Sequence, residues 1–410
     1  MCSYIERWQK DRIEEMLRQR RVVMLSGPRQ CGKTTLARSL NGAQFEYRTL
    51  DNKTQRDAAS ADPVSFVKHD ADTLIIDEVQ REPELLSSIK MVVDEDTRPG
   101  QYLLTGSANL NALPSVQESL AGRIAKVRLR PLSQAEISGA KPDFLKRALN
   151  AGIGRPTSKV DRDALLEIGL RGGYPEVLSS AFTERRQWHR DYVSTLLDRD
   201  LKDILHIRRA DAMHKLVQVT AAWSSKLLDV AGITSSLAIK RPTVESYLNA
   251  LEALYLLERV PAWTKNDYAR VAKHPKVFMT DSGLMGSILD WRPAQMKLDA
   301  DRSGKLAETL VFGELSAQID TTSDYLLYHY RDWEKREIDF LVERVEDGAR
   351  LGVEVKASAT VRAEDFKHLA WFRDNLAGDF PFQGIVIYAG DEVLSFGDRL
   401  TAVPFASMWS

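Results

Sequence analysis

The run Leu25-Ser-Gly-Pro-Arg-Gln-Cys-Gly-Lys-Thr-Thr35 constrains this chain more than any other feature. Its core, Gly27-Pro28-Arg29-Gln30-Cys31-Gly32-Lys33-Thr34, fits the phosphate-binding pattern G-x-x-x-x-G-K-[ST] without departure. The chemistry explains each part. Gly27 and Gly32 allow a tight turn, so successive N–H groups point into one concavity that holds phosphate oxygens. Lys33 supplies a point charge for the β- and γ-phosphates, and the Thr34 hydroxyl is placed to coordinate Mg²⁺. The run from Arg20 to Ser26 reads as a short buried strand entering the loop. Thr34 to Leu40 reads as the helix that leaves it, with Thr35 in its first turn.

A second element removes the ambiguity of a lone motif. Thr73-Leu-Ile-Ile-Asp77-Glu78 is an apolar strand ending in two carboxylates, the expected Walker B position. Asp77 would hold the Mg²⁺, and Glu78 would polarise the attacking water as general base. The pair predicts a chain that binds a nucleoside triphosphate and hydrolyses it. A third strand, Gln101 to Ala108, ends in small polar residues that can cap the helix that follows.

At 410 residues, length alone suggests two or three domains. The charge is balanced, 57 basic against 58 acidic residues, so any DNA contact must come from a local patch. The two cysteines, Cys2 and Cys31, rule against a disulfide scaffold and fit a reducing cytoplasm. No apolar run reaches the length of a membrane span, and the N-terminus lacks a signal-peptide core, so no membrane contact is expected.

Residues 1–138 alternate strands and helices, as a parallel α/β sheet should, and 139–161 reads as a Gly- and Pro-containing linker. Residues 162–298 are largely helical and contain a helix-turn-helix pattern. Its first helix is read at Leu227–Gly232, its turn at Ser235–Ile239 and its second helix at Arg241–Leu257, with a strand from Arg259 as the wing. Lys240, Arg241, Thr243 and Ser246 lie where a recognition helix touches DNA, although winged helices also serve only to pack domains or bind proteins.

Residues 299–410 carry a second constellation. Asp339 sits on one strand, and Glu354 and Lys356 lie on one face of the next. That is the layout of a metal-dependent phosphodiesterase site, with Asp339 and Glu354 on Mg²⁺ and Lys356 steadying the hydroxide or phosphate. Glu308, on the preceding helix, stands where such nucleases often carry a further ligand. A surface hairpin with the same charges is the alternative.

The motifs together resemble a family of AAA+ ATPases of bacteria and archaea whose C-terminal half is a domain of unknown function. The resemblance is carried by Gly27–Thr34, Ile75-Ile-Asp-Glu78, Leu104-Thr-Gly-Ser107, Ser119-Leu-Ala-Gly-Arg-Ile124 with Arg130-Pro-Leu-Ser133, and Arg171-Gly-Gly-Tyr-Pro-Glu176. Asp281-Ser-Gly-Leu284, Arg336-Glu-Ile-Asp-Phe340 and Val353-Glu-Val-Lys356 extend it towards the C-terminus. It implies an AAA+-like P-loop sheet, a helical winged-helix region and a restriction-endonuclease-like α/β domain similar to PD-(D/E)XK nucleases. It also implies a polar sensor, at Thr105 or Ser107, and a charge-stabilising arginine, for which Arg123 is the candidate, acting on its own or a neighbouring site. The alternative for Arg123 is a surface arginine. Completion of a site by a neighbour's arginine implies a homo-oligomer. The resulting expectation is a Mg²⁺-dependent ATPase that couples ATP and ADP states to DNA binding or processing by its C-terminal half. The alternative is a regulatory, signalling or antitoxin-like module whose nuclease-like domain binds protein or nucleic acid without cutting.

Overall fold

The computed structural model describes residues 4–40, 44–107, 120, 122–200, 210–265 and 273–410. Five short strands form the N-terminal sheet: β1 (Val22–Ser26), β2 (Phe45–Thr49), β3 (Thr73–Asp77), β4 (Tyr102–Gly106) and β5 (Ile124–Arg128). They pair in parallel in the order β2-β3-β4-β1-β5. Strands β3 and β4 are buried along their whole length, which explains their continuous apolar sequence. Side chains alternate between two cores with the pleat. Val22, Met24, Leu74, Ile76 and Leu104 pack against the helix Leu85–Glu95. Val23, Leu25, Ile75 and Leu103 face Ile13, Leu17 and Leu36 of the helices Gln9–Gln19 and Lys33–Ser39. Because all five strands run the same way, the loops after β1, β3 and β4 meet at one edge of the sheet.

The middle unit contains the helices Arg162–Arg171, Phe182–Thr195, Ala210–Ala222, Val230–Leu237 and Arg241–Ala253. Strands β6 (Lys226–Leu227), β7 (Leu257–Val260) and β8 (Lys276–Met279) form an antiparallel sheet in the order β6-β8-β7. The helix pair differs from the sequence expectation. Leu227 belongs to β6, the first helix starts at Val230 after its cap Asp229, and the turn centres on Ala238 at φ 51°. Leu257, expected within the second helix, opens β7. A helix-period reading could not see that Leu256 and Leu257 continue into a buried sheet edge.

The C-terminal unit begins with the helix Ala300–Ile319, followed by β9 (Tyr325–Arg331), β10 (Glu337–Arg344) and β11 (Arg350–Lys356). The helix Lys367–Asn375 then precedes β12 (Phe382–Tyr388), β13 (Leu394–Ser395) and β14 (Leu400–Pro404). The six-stranded order is β13-β14-β12-β11-β10-β9, with β11, β12 and β14 parallel.

The stretch 139–161 is not a loose connection. It forms the helix Phe144–Leu149, whose Phe144, Leu145, Ala148 and Leu149 are buried in one core with Leu351, Val353 and Ile385 of the C-terminal sheet. Apolar helix spacing in a Gly- and Pro-bordered segment was the signal for this packing. The three units are also joined by charge. Arg130, buried after β5, lies 2.5 Å from Glu258 on β7 and 2.6 Å from Asp320 after the helix Ala300–Ile319.

Candidate functional site

Gly27 leaves β1 where a Cβ would meet the Leu129 carbonyl oxygen at 2.1 Å, so only glycine lets the loop pass. Gly32 caps the following helix at φ 100°, in the left-handed region that favours glycine. Lys33 is buried, and its ammonium donates to the Gly27 and Pro28 carbonyls at 3.0 and 2.7 Å, so the positive charge stands in the concavity of the loop.

The ends of β3 and β4 arrive beside it. Asp77, 2% exposed, accepts from Thr34 Oγ1 at 3.0 Å, from the Tyr47 hydroxyl at 2.7 Å, and from Thr105 Oγ1. Burial and then the hydrogen bond to this carboxylate push the Tyr47 hydroxyl up to about 12, so it remains a donor. Glu78 adopts φ 60°, uncommon for a residue with a Cβ, and its N–H donates to Thr105 Oγ1 at 3.2 Å. Its carboxylate accepts from Gln80 Nε2 and from Ser107 Oγ, the latter at 3.3 Å. Thr105 and Ser107 therefore divide the two acids between them, Thr105 touching Asp77 and Ser107 touching Glu78. The alternative, that they cap the next helix, concerns residues outside the described ones. The half-buried Thr34 hydroxyl and the buried Asp77 carboxylate form an all-oxygen donor pair beside the phosphate loop, which fits Mg²⁺.

Two cavities flank the loop. One, of about 380 Å³, is walled by Arg29, Gln30, Glu78, Trp188 and Tyr192. The Tyr192 hydroxyl donates to the Arg29 carbonyl at 3.2 Å, and Trp188 stacks on Tyr192 with centroids 5.1 Å apart. The other, of about 390 Å³, is largely apolar. Tyr4, Ile5, Leu132, Pro175 and Leu178 line it together with Gly32, Thr35 and Arg171. The middle unit supplies Pro175 and Leu178 because the Gly172-Gly173 pair lets two backbones touch. Leu132 N–H donates to the Gly173 carbonyl at 2.8 Å, and a Cβ on Gly173 would lie 2.0 Å from the Leu132 oxygen. Asp281 accepts from the Gly173 N–H at 2.7 Å. The segments Arg171–Glu176 and Asp281–Leu284, far apart in sequence, thus pack on each other. Sequence reasoning singled out both but placed neither at the loop. It also missed Tyr47 and Gln80, for which the sequence carries no local signal.

Arg123 lies elsewhere. It immediately precedes β5, at the edge of the sheet opposite the phosphate loop, and pairs with Asp94, Nη2 to Oδ2 at 2.9 Å. A five-residue strand at about 3.3 Å per residue puts roughly 16 Å between it and the loop edge. The expectation that it serves its own site is corrected by the strand direction.

In the C-terminal unit, Asp339 on β10 and Glu354 and Lys356 on β11 come to adjacent strands, and Glu308 approaches from the helix Ala300–Ile319. A cation stands among them. Lys276 of β8, 1% exposed, places its Nζ 3.0 Å from Asp339 Oδ1, 2.7 Å from Glu337 and 3.8 Å from Glu308. Asp339 Oδ2 accepts the Val355 N–H at 3.0 Å. Both Asp339 oxygens are thereby engaged, and among the described residues no three acidic, His or Cys side chains are arranged to hold a metal ion. The expected Mg²⁺ ligation by Glu308, Asp339 and Glu354 does not fit this arrangement, since an ammonium from the middle unit already balances the charge. Lys356 instead pairs with Asp365 at 3.5 Å. Burial raises Glu354 well above the usual carboxylate range, with Asp339 adding to the effect. Burial likewise lifts Glu308 to about 8.

Lys240 and Arg241 are exposed at the start of the helix Arg241–Ala253, and Thr243 and Ser246 are half-buried beside them. Arg241 Nε lies 2.9 Å from Glu245.

Residues 19–138 match the model of an AAA domain. The N-terminal unit is a P-loop ATPase fold of the AAA type. Residues 162–295 match a domain of unknown function (DUF8612), and 303–408 another (DUF4143). Uncharacterized proteins of Mycobacterium tuberculosis (Rv2008c) and Mycobacterium bovis (Mb2031c) are each 28% identical over 409 residues, covering 98% of this chain and 84% of theirs. Among solved structures, AMPPCP-bound DnaA from Aquifex aeolicus aligns at 13% identity and TM-score 0.29, over 59% of this chain and 85% of its own. The Thermotoga maritima RuvB Holliday junction branch migration motor aligns at 19% and 0.28, over 62% and 88%. Among the described residues no helix is long and apolar enough to cross a membrane.

Proposed function

We propose that the protein binds ATP with Mg²⁺, hydrolyses it, and transmits nucleotide state to a nucleic-acid-directed middle and C-terminal half. One observation carries the ATPase reading. Thr34, Asp77, Thr105 and Glu78 form a single hydrogen-bonded chain at the mouth of a complete phosphate loop. In this reading Lys33 and the loop N–H groups bind the phosphates, and Thr34 with Asp77 would hold the metal. Mg²⁺ supplies charge neutralisation at the phosphate oxygens. Glu78, steadied by Gln80 and Ser107, takes the proton of the attacking water at its carboxylate. The apolar cavity beside Gly32 and Thr35 suits a nucleobase.

Coupling is supported by shared walls. The same nucleotide would touch Thr35 of one unit and Pro175 and Leu178 of the next. The helix–strand–helix–helix–strand–strand order with sheet order β6-β8-β7 supports the winged-helix reading. A helix, three antiparallel strands, a helix and a parallel strand β12, with Asp339 and Glu354 on neighbouring strands, support the nuclease-like reading of the C-terminal unit. Lys276 among the acids favours the second possibility, that this unit binds without cutting.

The test is steady-state ATP hydrolysis with and without single- and double-stranded DNA. Lys33→Ala should weaken nucleotide binding by removing the phosphate charge. Glu78→Gln should bind ATP nearly as the wild type does and leave it unhydrolysed. Hydrolysis by Glu78→Gln at the wild-type rate would refute the assignment of the base, and turnover indifferent to DNA would favour a protein-directed regulator.

A further inference from the structure

A cavity of about 930 Å³ opens beside the Lys276 cluster, between the middle unit and the C-terminal sheet. Five cations, Arg162, Lys226, Lys305, Arg331 and Lys356, line it against three acids, Asp301, Glu308 and Glu337. The cations come from five different elements, so only the assembled fold brings them together. Two of the acids, Glu308 and Glu337, face the buried Lys276 ammonium, which offsets their charge from beneath the cavity floor. At the lip, the Arg331–Glu337 pair opens the turn that joins β9 to β10. In that turn Trp333 is 87% exposed, and the Lys273 ammonium lies 2.9 Å from the Arg331 carbonyl. A single exposed tryptophan is unremarkable on its own. An exposed indole in the turn between two cavity-lining residues, Arg331 and Glu337, combines the two parts that single-stranded nucleic acid requires, a charged track for phosphates and a flat face for an unpaired base.

We infer that this cavity binds the phosphodiester backbone of single-stranded nucleic acid without a metal ion, with Lys276 as the fixed internal cation and Trp333 stacking an unpaired base. The inference rests on the nucleic-acid-directed reading above and specifies where and how that contact is made. Lys276 is what separates it from a metal-dependent cutting site. Its ammonium holds the position among Asp339, Glu337 and Glu308 that a divalent ion would need. A duplex keeps its bases paired and stacked and offers Trp333 no free face, so single strands are preferred.

The experiment is fluorescence anisotropy of labelled oligo-dT and oligo-U with the full chain carrying Lys33→Ala, which removes the phosphate loop as a competitor. Binding is expected to persist in EDTA. Trp333→Ala should weaken it about fivefold or more. The Lys226→Gln and Lys305→Gln double variant should weaken it at least tenfold and flatten the salt dependence by about 0.7 in slope per lost phosphate contact. Trp333 and Lys226 are exposed and Lys305 is half-buried, and ATP hydrolysis by the same substitutions in the otherwise wild-type chain reports that the fold is intact. Loss of binding in EDTA with rescue by Mg²⁺ or Mn²⁺ would overturn the inference in favour of a metal site. Full competition by millimolar inorganic phosphate would overturn it in favour of an ion site. Binding lost only in Lys240→Glu with Arg241→Glu would overturn the cavity assignment while leaving the nucleic-acid reading standing. No binding by any single- or double-stranded probe would refute both.

Discussion

Thr105 offers the sharpest test of how the ATPase site is built. Its hydroxyl is fully buried, donates to Asp77 and accepts the Glu78 N–H at 3.2 Å. Thr105→Val keeps the branched shape on β4 and deletes only this bridge. The half-buried Glu78 N–H then loses its partner, a cost of about 1 kcal/mol, and the buried Asp77 loses a charge-assisted donor worth about 1.5–3 kcal/mol. Glu78 already occupies an uncommon backbone conformation at φ 60°, so relaxation of its backbone moves the carboxylate. Thr105 reaches neither the loop N–H groups nor Lys33, so ATP affinity should change little. If about 1.4–2.8 kcal/mol of this cost falls on the transition state, kcat drops about 10- to 100-fold. The assay pairs steady-state hydrolysis with equilibrium binding of a fluorescent ATP analogue, and a melting curve shows that the variant is folded. An unchanged kcat, or a loss confined to ATP affinity, would refute the bridge as a catalytic positioning element. Ser107→Ala removes a 3.3 Å contact to Glu78 that Gln80 duplicates, and its effect should be smaller.

The ion cluster that joins the units should be visible in pH-dependent stability. Burial alone would raise Glu258, but Arg128 and Arg130 overcome it and hold its carboxyl at about 2, below the ordinary 4.5. A folded value below the unfolded one contributes stability that is present above pH 4.5 and lost as pH falls towards 2. Its size is about 3 kcal/mol. Glu258→Gln should therefore lower unfolding stability by about that amount at pH 7, with the gap to wild type narrowing below pH 4.5, as measured by urea denaturation at several pH values. An equal gap at pH 7 and pH 3 would contradict the charge argument. Leu178→Asp places a carboxylate in the apolar cavity beside Gly32 and Thr35. ATP affinity should fall at least about tenfold, while kcat at saturating ATP stays within a few fold. Unaltered affinity, measured by the same fluorescent-analogue binding, would move the nucleobase elsewhere.

The phosphate loop and the Asp77-Glu78 pair were legible because their chemistry is local. Spacing within one strand–loop–helix unit decides which backbone N–H groups converge and which carboxylates follow an apolar strand, and no distant residue can change that. The parallel sheet followed from the same patterning. Whether Arg123 faces its own loop was not legible, because nothing in Ser-Leu-Ala-Gly-Arg-Ile tells which edge of the sheet it meets, and only the parallel direction of β5 sends it away from that loop. The segment 139–161 read as a connection because its glycines and prolines outweighed four apolar positions, Phe144, Leu145, Ala148 and Leu149, whose burial depends on a sheet more than two hundred residues away.

Charge at the C-terminal cluster divides along the same line. The order of Asp339, Glu354 and Lys356 on successive strands follows from the strand period, and the sequence alone determined that they would share a neighbourhood. The cation that balances them comes from Lys276, 63 residues before Asp339 and on a different sheet. In the sequence Lys276 is one lysine among many, preceded by a proline and followed by a short apolar strand. Its meaning arises only on docking, because removing an ammonium from water is affordable only where carboxylates surround it. Local spacing thus determined which chemical groups the chain presents, and tertiary packing decided which of them are desolvated together, because electrostatic pairing in a protein interior depends on distance and burial and not on position along the chain.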